Sequence, residues 1–331
     1  MIIEEKPDKG SSPDWCAERA NQLLNEQKLS WALLEQNYNA LVGVQTRIFD
    51  FDSFQVNIQL NPARIKSTSA VVDENSINSR ECFLCVDKLP PEQSALAYGK
   101  NFLILANPYP IFTEHYTISK RKHIPQTIIG NFEELLNISK DLGSSLTIFY
   151  NGPKCGASAP DHMHFQAVIK NKMPIEIEFD KILETKSNSI FNNGKIKVRF
   201  FENYLRHFIS FESDNKGELL VAFRTLIKAF RKISLPQDEP LMNIISNYRE
   251  KKWCIFIFPR RIHRPSQYFA ENEKQLLISP AAVDMGGLFI TPREEDFNKI
   301  KKEDVIDIFR QVTITKEYFE FLKKKIGEIF Y

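Results

Sequence analysis

A chain of 331 residues is long enough for about two domains at roughly 150 residues each, and an apolar fraction of 43% is enough to build buried cores. Lys and Arg number 44 against 42 Asp and Glu, a net charge of +2, which excludes the sequence-independent electrostatic drive toward DNA or RNA that a strongly basic domain has. Five scattered cysteines exclude a disulfide scaffold; no apolar run approaches the about 18 residues that span a bilayer, and Met1-Ile2-Ile3-Glu4-Glu5-Lys6 lacks a signal-peptide design, so the expected location is the cytoplasm, with no membrane partner.

In chain order, residues 13–41 read as a helical region, one bent helix or two, with Ser12 as a cap and Leu23, Leu24, Leu29, Trp31, Leu33, Leu34 and Leu41 at helical spacing. Between 42 and 60, Val56, Ile58 and Leu60 alternate with Gln55, Asn57 and Gln59, which predicts a hairpin turning at 50–53. Its second strand delivers Asn61 to an Asn-Pro turn. Residues 65–81 are polar and aperiodic and read as a ligand-contacting loop, with Arg64 and Lys66 as its cations. Cys82-Phe83-Leu84-Cys85 then closes a tight chelate loop with no helical pattern after it, unlike a redox motif that opens a helix. Strands at 101–106 and 116–119 pair through Asn107-Pro108-Tyr109-Pro110, and His123 ends the basic run after the second. Residues 131–142 form an amphipathic helix with Asn131 as cap and Glu133 and Glu134 complementing its dipole. A short strand at 146–150 leads into the stretch 151–166.

After Lys172 the order of elements restarts: strands at 195–201 and 208–211, a helix at 218–232, a linker at 235–240, a hairpin of 241–247 and 253–258, a strand at 287–291, and helices from about 294 onward. The repetition predicts a duplicated α+β domain, with halves at 1–172 and 173–331.

The chemistry concentrates in 151–166. If the chain from His162 onward is a strand, alternation puts His162, His164 and Gln166 on one face, neighbours about 6.5 Å apart, and Met163, Phe165 and Ala167 on the other. Gly156-Ala157-Ser158 lacks bulky side chains, so its backbone N–H groups can approach a phosphate, and the Ser158 hydroxyl adds a donor. A neutral imidazole at His164 can attack phosphorus and hold the nucleotidyl group, with Gln166 as a neutral hydrogen-bonding partner. Cys82 and Cys85 supply two thiolates, and a closed Zn²⁺ site takes four N/S ligands. His123 and His162, each at a strand edge, are the candidates for the other two; the bland alternative is a pair of unliganded surface thiols. Cys16 and Cys254 read as core thiols, and His115 and His207 as structural. His263, in a basic turn bounded by Pro259 and Pro265, reads as a solvated loop residue or as part of a cationic rim for phosphates or sugar.

His162-Met163-His164-Phe165-Gln166, with Asn151 and Gly156-Ala157-Ser158 before it, resembles the His-x-His-x-Gln signature of the nucleotidyltransferase branch of the histidine-triad superfamily. That branch includes galactose-1-phosphate uridylyltransferase, diadenosine tetraphosphate phosphorylase and the GDP-hexose phosphorylases. Cys82, Cys85 and His123 look like the uridylyltransferase zinc ligands, with His162 the fourth. Asn107-Pro108-Tyr109-Pro110 is similar to a segment of the diadenosine enzymes. Gln59-Leu60-Asn61 with Arg64, and Met285-Gly286-Gly287-Leu288 before Pro292-Arg293, look most like GDP-hexose phosphorylases. Met163 stands where the uridylyltransferase has Pro, so the resemblance leaves donor and acceptor open.

The resemblance implies an α+β fold of two histidine-triad-like half-domains, each an antiparallel sheet with packed helices, and catalysis in the first. It implies nucleotidyl transfer through a nucleotidyl-histidine at His164, as phosphorolysis of a nucleoside-diphosphate sugar or as uridylyl or adenylyl exchange with a sugar phosphate, with Gln166 orienting the phosphoryl group and Asn151, Gly156, Ala157, Ser158, Asn61 and Arg64 at the substrate's phosphates. Zn²⁺ would be a structural cofactor. The partners would be a nucleotide or nucleotide sugar plus phosphate or a sugar phosphate, with no nucleic acid and with a homodimer left open. The alternatives are a nucleotide hydrolase of the same superfamily and a non-catalytic, zinc-stabilised nucleotide-binding protein.

Overall fold

In the computed structural model the described residues are 1–7, 11–69, 73–231 and 239–330. The last residue of the predicted helix at 218–232 and most of the predicted linker, 235–238, lie outside them. The first half contains β1 (Ile2–Ile3), α1 (Trp15–Ser30), α2 (Ala32–Asn39), β2 (Gln45–Phe51), β3 (Phe54–Leu60), α3 (Ile65–Thr68), α4 (Glu74–Ser79), β4 (Ala95–Tyr98), β5 (Phe102–Ala106), β6 (His115–Lys120), α5 (Phe132–Asp141), β7 (Leu146–Asn151) and β8 (His164–Ile169). Then come α6 (Pro174–Lys186), β9 (Ser187–Asn192), β10 (Ile196–Phe201), β11 (Phe208–Ser213), α7 (Lys216–Arg231), β12 (Met242–Arg249) and β13 (Lys252–Pro259). The chain closes with α8 (Ser266–Phe269), α9 (Ala282–Met285), β14 (Leu288–Thr291), α10 (Glu294–Lys299), α11 (Lys302–Val312) and α12 (Lys316–Phe330).

Among the described residues, eleven strands hydrogen-bond into one sheet in the order β1-β4-β5-β6-β8-β7-β12-β13-β11-β10-β9, and β14-β3-β2 form a second. All neighbouring pairs are antiparallel except β1 with β4 and β14 with β3. Read outward from the β7–β12 junction, each side runs through a hairpin strand, then the pair of strands that precedes the helix, so β7-β8-β6-β5 mirrors β12-β13-β11-β10, with α5 answering α7. The stacked rings of Phe132 and Phe223, 3.9 Å apart and 7° from parallel, join those helices, a contact worth about 0.5–1.5 kcal/mol beyond its buried area.

Alternation divides the sheet's side chains between two cores. Ile148, Tyr150, Met163, Phe165, Ala167, Ile244, Ile255 and Ile257 face α1, α5, α7 and α12. Phe149, Val168, Ile245, Phe256 and Phe258 face the small sheet and α9, α10 and α11. The first face is largely apolar, with Ser246 Oγ paired to Ser139 Oγ of α5 at 2.8 Å. The second carries His164 and Gln166, and on that side β14 of the second half pairs with β3 of the first in the small sheet.

Several local expectations change. The strand begins at His164, so His162 sits just ahead of it, in the bend where its amide N–H bonds Ala159 O. Asn131 is the N-cap of α5, but its carboxamide oxygen accepts from Lys120 Nζ at 2.9 Å instead of capping the helix. Asp14, not Ser12, is the N-cap of α1. The polar stretch 65–81 contains the short α3 and α4, the latter capped by Asp73, whose carboxylate accepts from Ser76 N at 3.0 Å. No helix among the described residues is long and apolar enough to cross a membrane.

Candidate active site

β8 pairs with β6 on one side and β7 on the other, placing Ser119 opposite His164 and Thr117 and Phe149 opposite Gln166. His164 Nδ1 lies 2.8 Å from the carbonyl oxygen of His162. A carbonyl only accepts, so Nδ1 carries the proton and Nε2 keeps its lone pair. Burial is the main reason the imidazole stays neutral, its pKa pushed down to about 4. Gln126 secures the strand ends, accepting from His164 N at 2.8 Å and donating to Asn151 O and His164 O.

His115 is drawn into the same site. Its Nδ1 accepts from Ile111 N at 3.2 Å, so its Nε2–H donates to Gln166 Oε1 at 2.8 Å. Burial first, then the Arg64 charge, push its pKa down to about 3, which keeps this tautomer fixed across ordinary pH. With Oε1 engaged, Gln166 presents its NH₂ as a donor.

Cys82, Cys85, His123 and His162 come together with their four ligand atoms all within 4.8 Å of one another. Cys82 Sγ lies 3.2 Å from His162 Nδ1, Cys85 Sγ 3.2 Å from His123 Nδ1 and 3.7 Å from His162 Nδ1. Metal–ligand bonds of about 2.0–2.3 Å give tetrahedral edges of roughly 3.3–3.8 Å, so the cluster has the size of a closed tetrahedral site. His162 Nε2–H donates to Lys120 O at 2.6 Å, which fixes the tautomer whose Nδ1 is free to ligate. These residues could hold a metal ion. The cluster also shapes the site: Phe83 and Leu84, between the two cysteines, line the large cleft beside His164.

That cleft, about 520 Å³, has apolar walls from Trp31, Leu33, Phe83, Leu84, Pro90 and Tyr109, and His164, Gln166, Ser158, Thr117 and Asn107 at its polar end. A second, polar cavity of about 50 Å³ adjoins it at the seam between the halves and is lined by Asn151, Gly156, Ala157, Ser158 and Gln166 from the first half. His263, Arg264, Ser279, Ala281 and Asp284 close it from the second half, and Arg64, Ser67, Ser158 and Gln166 border both spaces. Gly156 has φ +96°, and a Cβ there would lie 2.6 Å from Ala281 Cβ, so only glycine lets the two halves close at this point. Asn151 Oδ1 accepts from Asn243 Nδ2 at 2.9 Å and from Ala282 N at 2.8 Å, and thereby clamps the first half to the second.

The other predicted residues sort as follows. Arg64 donates to Tyr109 O at 2.7 Å and has a buried Nε with no partner among the described residues. Desolvation pushes its pKa down to about 10, against the pull of Asp284. Asn61 is apart from both cavities and donates to Pro110 O at 3.0 Å, holding the 107–110 turn that Arg64 also grips. His207 stacks on Phe319 at 4.7 Å, away from the cleft. His263 is half-buried in its turn and lines the small cavity. Sequence reasoning missed Thr117, Ser279 and Asp284, which carry no local pattern, and left His115 structural; its alternation with Thr117 on a strand beside His164 was the available signal.

In comparisons with known proteins, residues 23–169 match the model of a domain of unknown function, DUF4922, and residues 180–331 that of the GDPGP1-like C-terminal domain. No curated protein sequence matches the chain. The crystal structure of yeast Ap4A phosphorylase Apa2 with AMP matches at a TM-score of 0.57 and 14% identity, over 89% of this chain and 96% of that one. The same enzyme with Ap4A matches at 0.54 and 14%, over 89% and 97%. A uridylyltransferase mutant matches at 0.42 and 11%, over 86% and 99%. The likeness to the phosphorylase is one of fold.

Proposed function

We propose, from the premise that this chain is a relative of the histidine-triad-superfamily nucleotidyltransferases and carries a GDPGP1-like C-terminal domain, that it is a phosphorylase acting through a nucleotidyl-His164 intermediate. Its donor in this reading is a nucleoside-diphosphate hexose and its acceptor inorganic phosphate. The AMP and Ap4A complexes of the yeast relative support a nucleotide substrate. The observation that carries the reading is the hydrogen bond from His164 Nδ1–H to His162 O, which leaves a lone pair on Nε2 of a neutral imidazole that lines the cleft.

In the first step Nε2 forms a bond to the α-phosphorus while the bond to the bridging oxygen breaks, and the electron pair leaves with hexose 1-phosphate. The imidazole becomes cationic, and the carbonyl of His162 at Nδ1–H stabilises that charge. Gln166, held by His115, donates to a non-bridging oxygen, and Ser158, Arg64 and the backbone of 156–158 take the remaining phosphoryl oxygens. In the second step an oxygen of HPO₄²⁻ forms the new P–O bond as the P–Nε2 bond breaks, and the pair returns to Nε2. The proton on the incoming phosphate stays with the product, so no general base is required.

Zn²⁺ is the metal proposed for Cys82, Cys85, His123 and His162, where it supplies a rigid tie between the 82–85 loop and the sheet. Catalysis belongs to the half at 1–172. On β13, the strand answering β8 in the half at 173–331, Cys254, Phe256 and Phe258 face that same core, with no imidazole among them.

The test is to incubate the enzyme with α-labelled GDP-glucose, UDP-glucose, ADP-glucose or a dinucleoside polyphosphate. An acid-labile protein adduct that is absent in His164→Asn is expected. If wild-type protein retains no label from any of these donors, the covalent reading fails.

A further inference from the structure

We infer that the small cavity at the seam is the subsite for a phosphate monoester dianion, the group that leaves in the first step and enters in the second. The second half of the chain recognises it through Arg264, His263 and Ser279. The inference rests on the covalent mechanism proposed above and adds to it the side of the reaction that the signature residues do not address.

Geometry comes first. In-line displacement at phosphorus puts nucleophile and leaving group on opposite sides. His164 lines the large cleft alone, whereas Gln166, Ser158, Arg64 and Ser67 border both spaces. A phosphorus attacked by His164 and held by Gln166 and Ser158 sits at the boundary, and the group opposite His164 falls into the small cavity. Size agrees. At about 10–15 Å³ per water, a cavity of about 50 Å³ holds about four waters, the room one tetrahedral anion fills. A hexose attached to that phosphate would extend beyond it.

The lining has the charge an anion needs. Two guanidiniums, Arg64 and Arg264, border the cavity, and Arg64 Nε is buried with no partner among the described residues. Arg264 lies over the Tyr268 ring at 4.2 Å and its Nε donates to Ser279 Oγ at 3.0 Å, so its plane is set before any ligand arrives. Ser279 Oγ also lies 3.4 Å from His263 Nε2, which joins Arg264, Ser279 and the His263 ring in one chain of contacts. Burial, followed by the Arg264 and Arg260 charges, keeps that ring neutral. The one carboxylate among the described residues of the lining, Asp284, is occupied by the N–H groups of Ala281 at 2.9 Å and Ile290 at 3.2 Å, and burial pushes its pKa up to about 6.

The experiment separates the two steps. A nucleoside 5′-phosphorimidazolide of guanosine, uridine or adenosine loads His164 with departure of imidazole, which carries no phosphate and makes no demand on the subsite. The adduct is then chased with inorganic phosphate or, separately, with hexose 1-phosphate. Arg264→Gln should load within about twofold of wild type and be chased at least about tenfold more slowly at subsaturating acceptor, the loss expected for one charge-assisted hydrogen bond. Arg264→Lys should fall between, and His263→Asn should shift the same acceptor dependence by less. A dianion subsite slows both chases; a site for inorganic phosphate alone slows only the first, and the inference then narrows to that acceptor. Normal loading is the control for folding. Variants that load normally and keep the wild-type dependence on both acceptors overturn the subsite while leaving the covalent mechanism intact. Wild-type enzyme that never loads overturns the covalent mechanism and the subsite with it.

Discussion

Gly156→Ala, with Gly130→Ala beside it, measures how tightly the two halves close over the phosphate cradle. Both glycines have positive φ, +96° and +82°, but a Cβ on Gly130 meets nothing within 4 Å among the described residues, whereas one on Gly156 meets Ala281 Cβ at 2.6 Å and Ala281 Cα at 3.0 Å. Gly130→Ala therefore carries only the left-handed backbone penalty, about 1–2 kcal/mol. Gly156→Ala adds overpacking against the half-buried Ala281, roughly 1–3 kcal/mol, for a total of about 2–5 kcal/mol. Removing the struck atom should recover part of this. Ala281 is the N-cap of α9, where Gly is no worse than Ala, so Ala281→Gly costs little alone and in the Gly156→Ala background should return about 1 kcal/mol of coupling energy. Urea unfolding of the four proteins gives the cycle, and phosphorolysis rates should follow the same order because the strain is relieved by displacing 156–158. If Gly156→Ala is no less stable than Gly130→Ala, or Ala281→Gly returns nothing, the close approach is not what shapes the cradle.

Three further outcomes are expected. Cys82→Ser should lose stoichiometric zinc by metal analysis and much of its stability, since structural sites of this kind bind with on the order of 10 kcal/mol of apparent free energy; unchanged zinc content would remove the site. His115, neutral in the fold down to about 3 but ordinarily titrating near 6.5, binds its proton more readily in the unfolded chain. Stability should therefore fall as pH drops from about 6.5 toward 3, by at most about 1.4 kcal/mol per unit from this group. His115→Gln should have the shallower slope in urea titrations between pH 4 and 7, and equal slopes would refute the assignment. Arg260→Met should lower both stability, by roughly 2–6 kcal/mol at about 1–3 for each buried oxygen deprived of this donor, and phosphorolysis, because it strips Asn243 Oδ1 and Pro280 O of their guanidinium N–H. Arg261→Met, on an exposed neighbour, is the control.

What could be read from the sequence was what depends on near neighbours. The period-two pattern around His164 identified the polar row and its apolar backing, since Met163, Phe165 and Ala167 do enter the core opposite the cleft. Cys82 and Cys85 declared a chelate by spacing, and His123 and His162 complete a cluster of the right size because both sit where strands end. The contribution of Asn151 was legible as a residue but not as a clamp: its oxygen is directed to Asn243 and Ala282, 92 and 131 positions away. Asn61 illustrates the reverse. The resemblance placed it at the substrate's phosphates, whereas in the structure its carboxamide donates to Pro110 O and braces the 107–110 turn. Ser279 and Asp284 had no signal because their relevance exists only once β14 has paired with β3 across the halves.

The basic turn 259–265 shows how one composition serves two purposes. Arg260 is buried and has no carboxylate partner among the described residues; instead it donates to Val312 O, Asn243 Oδ1, Pro280 O, Ile262 O and His263 O. Burying a cation this way is tolerated because every bond is charge-assisted, at roughly 1.5–3 kcal/mol each. Its grip on the carbonyls of 262 and 263 sets the turn that presents His263 and Arg264 to the small cavity. Its grip on Asn243 Oδ1 turns the other end of that carboxamide toward Asn151 Oδ1 and Cys155 O at 2.7 Å, immediately before the cradle. A single desolvated guanidinium in the second half thus aligns the rim and the cradle together. That is why a chain with a net charge near zero can still hold a concentrated positive site: its cations are placed by the seam, and the first half's imidazole works against a wall that the second half builds.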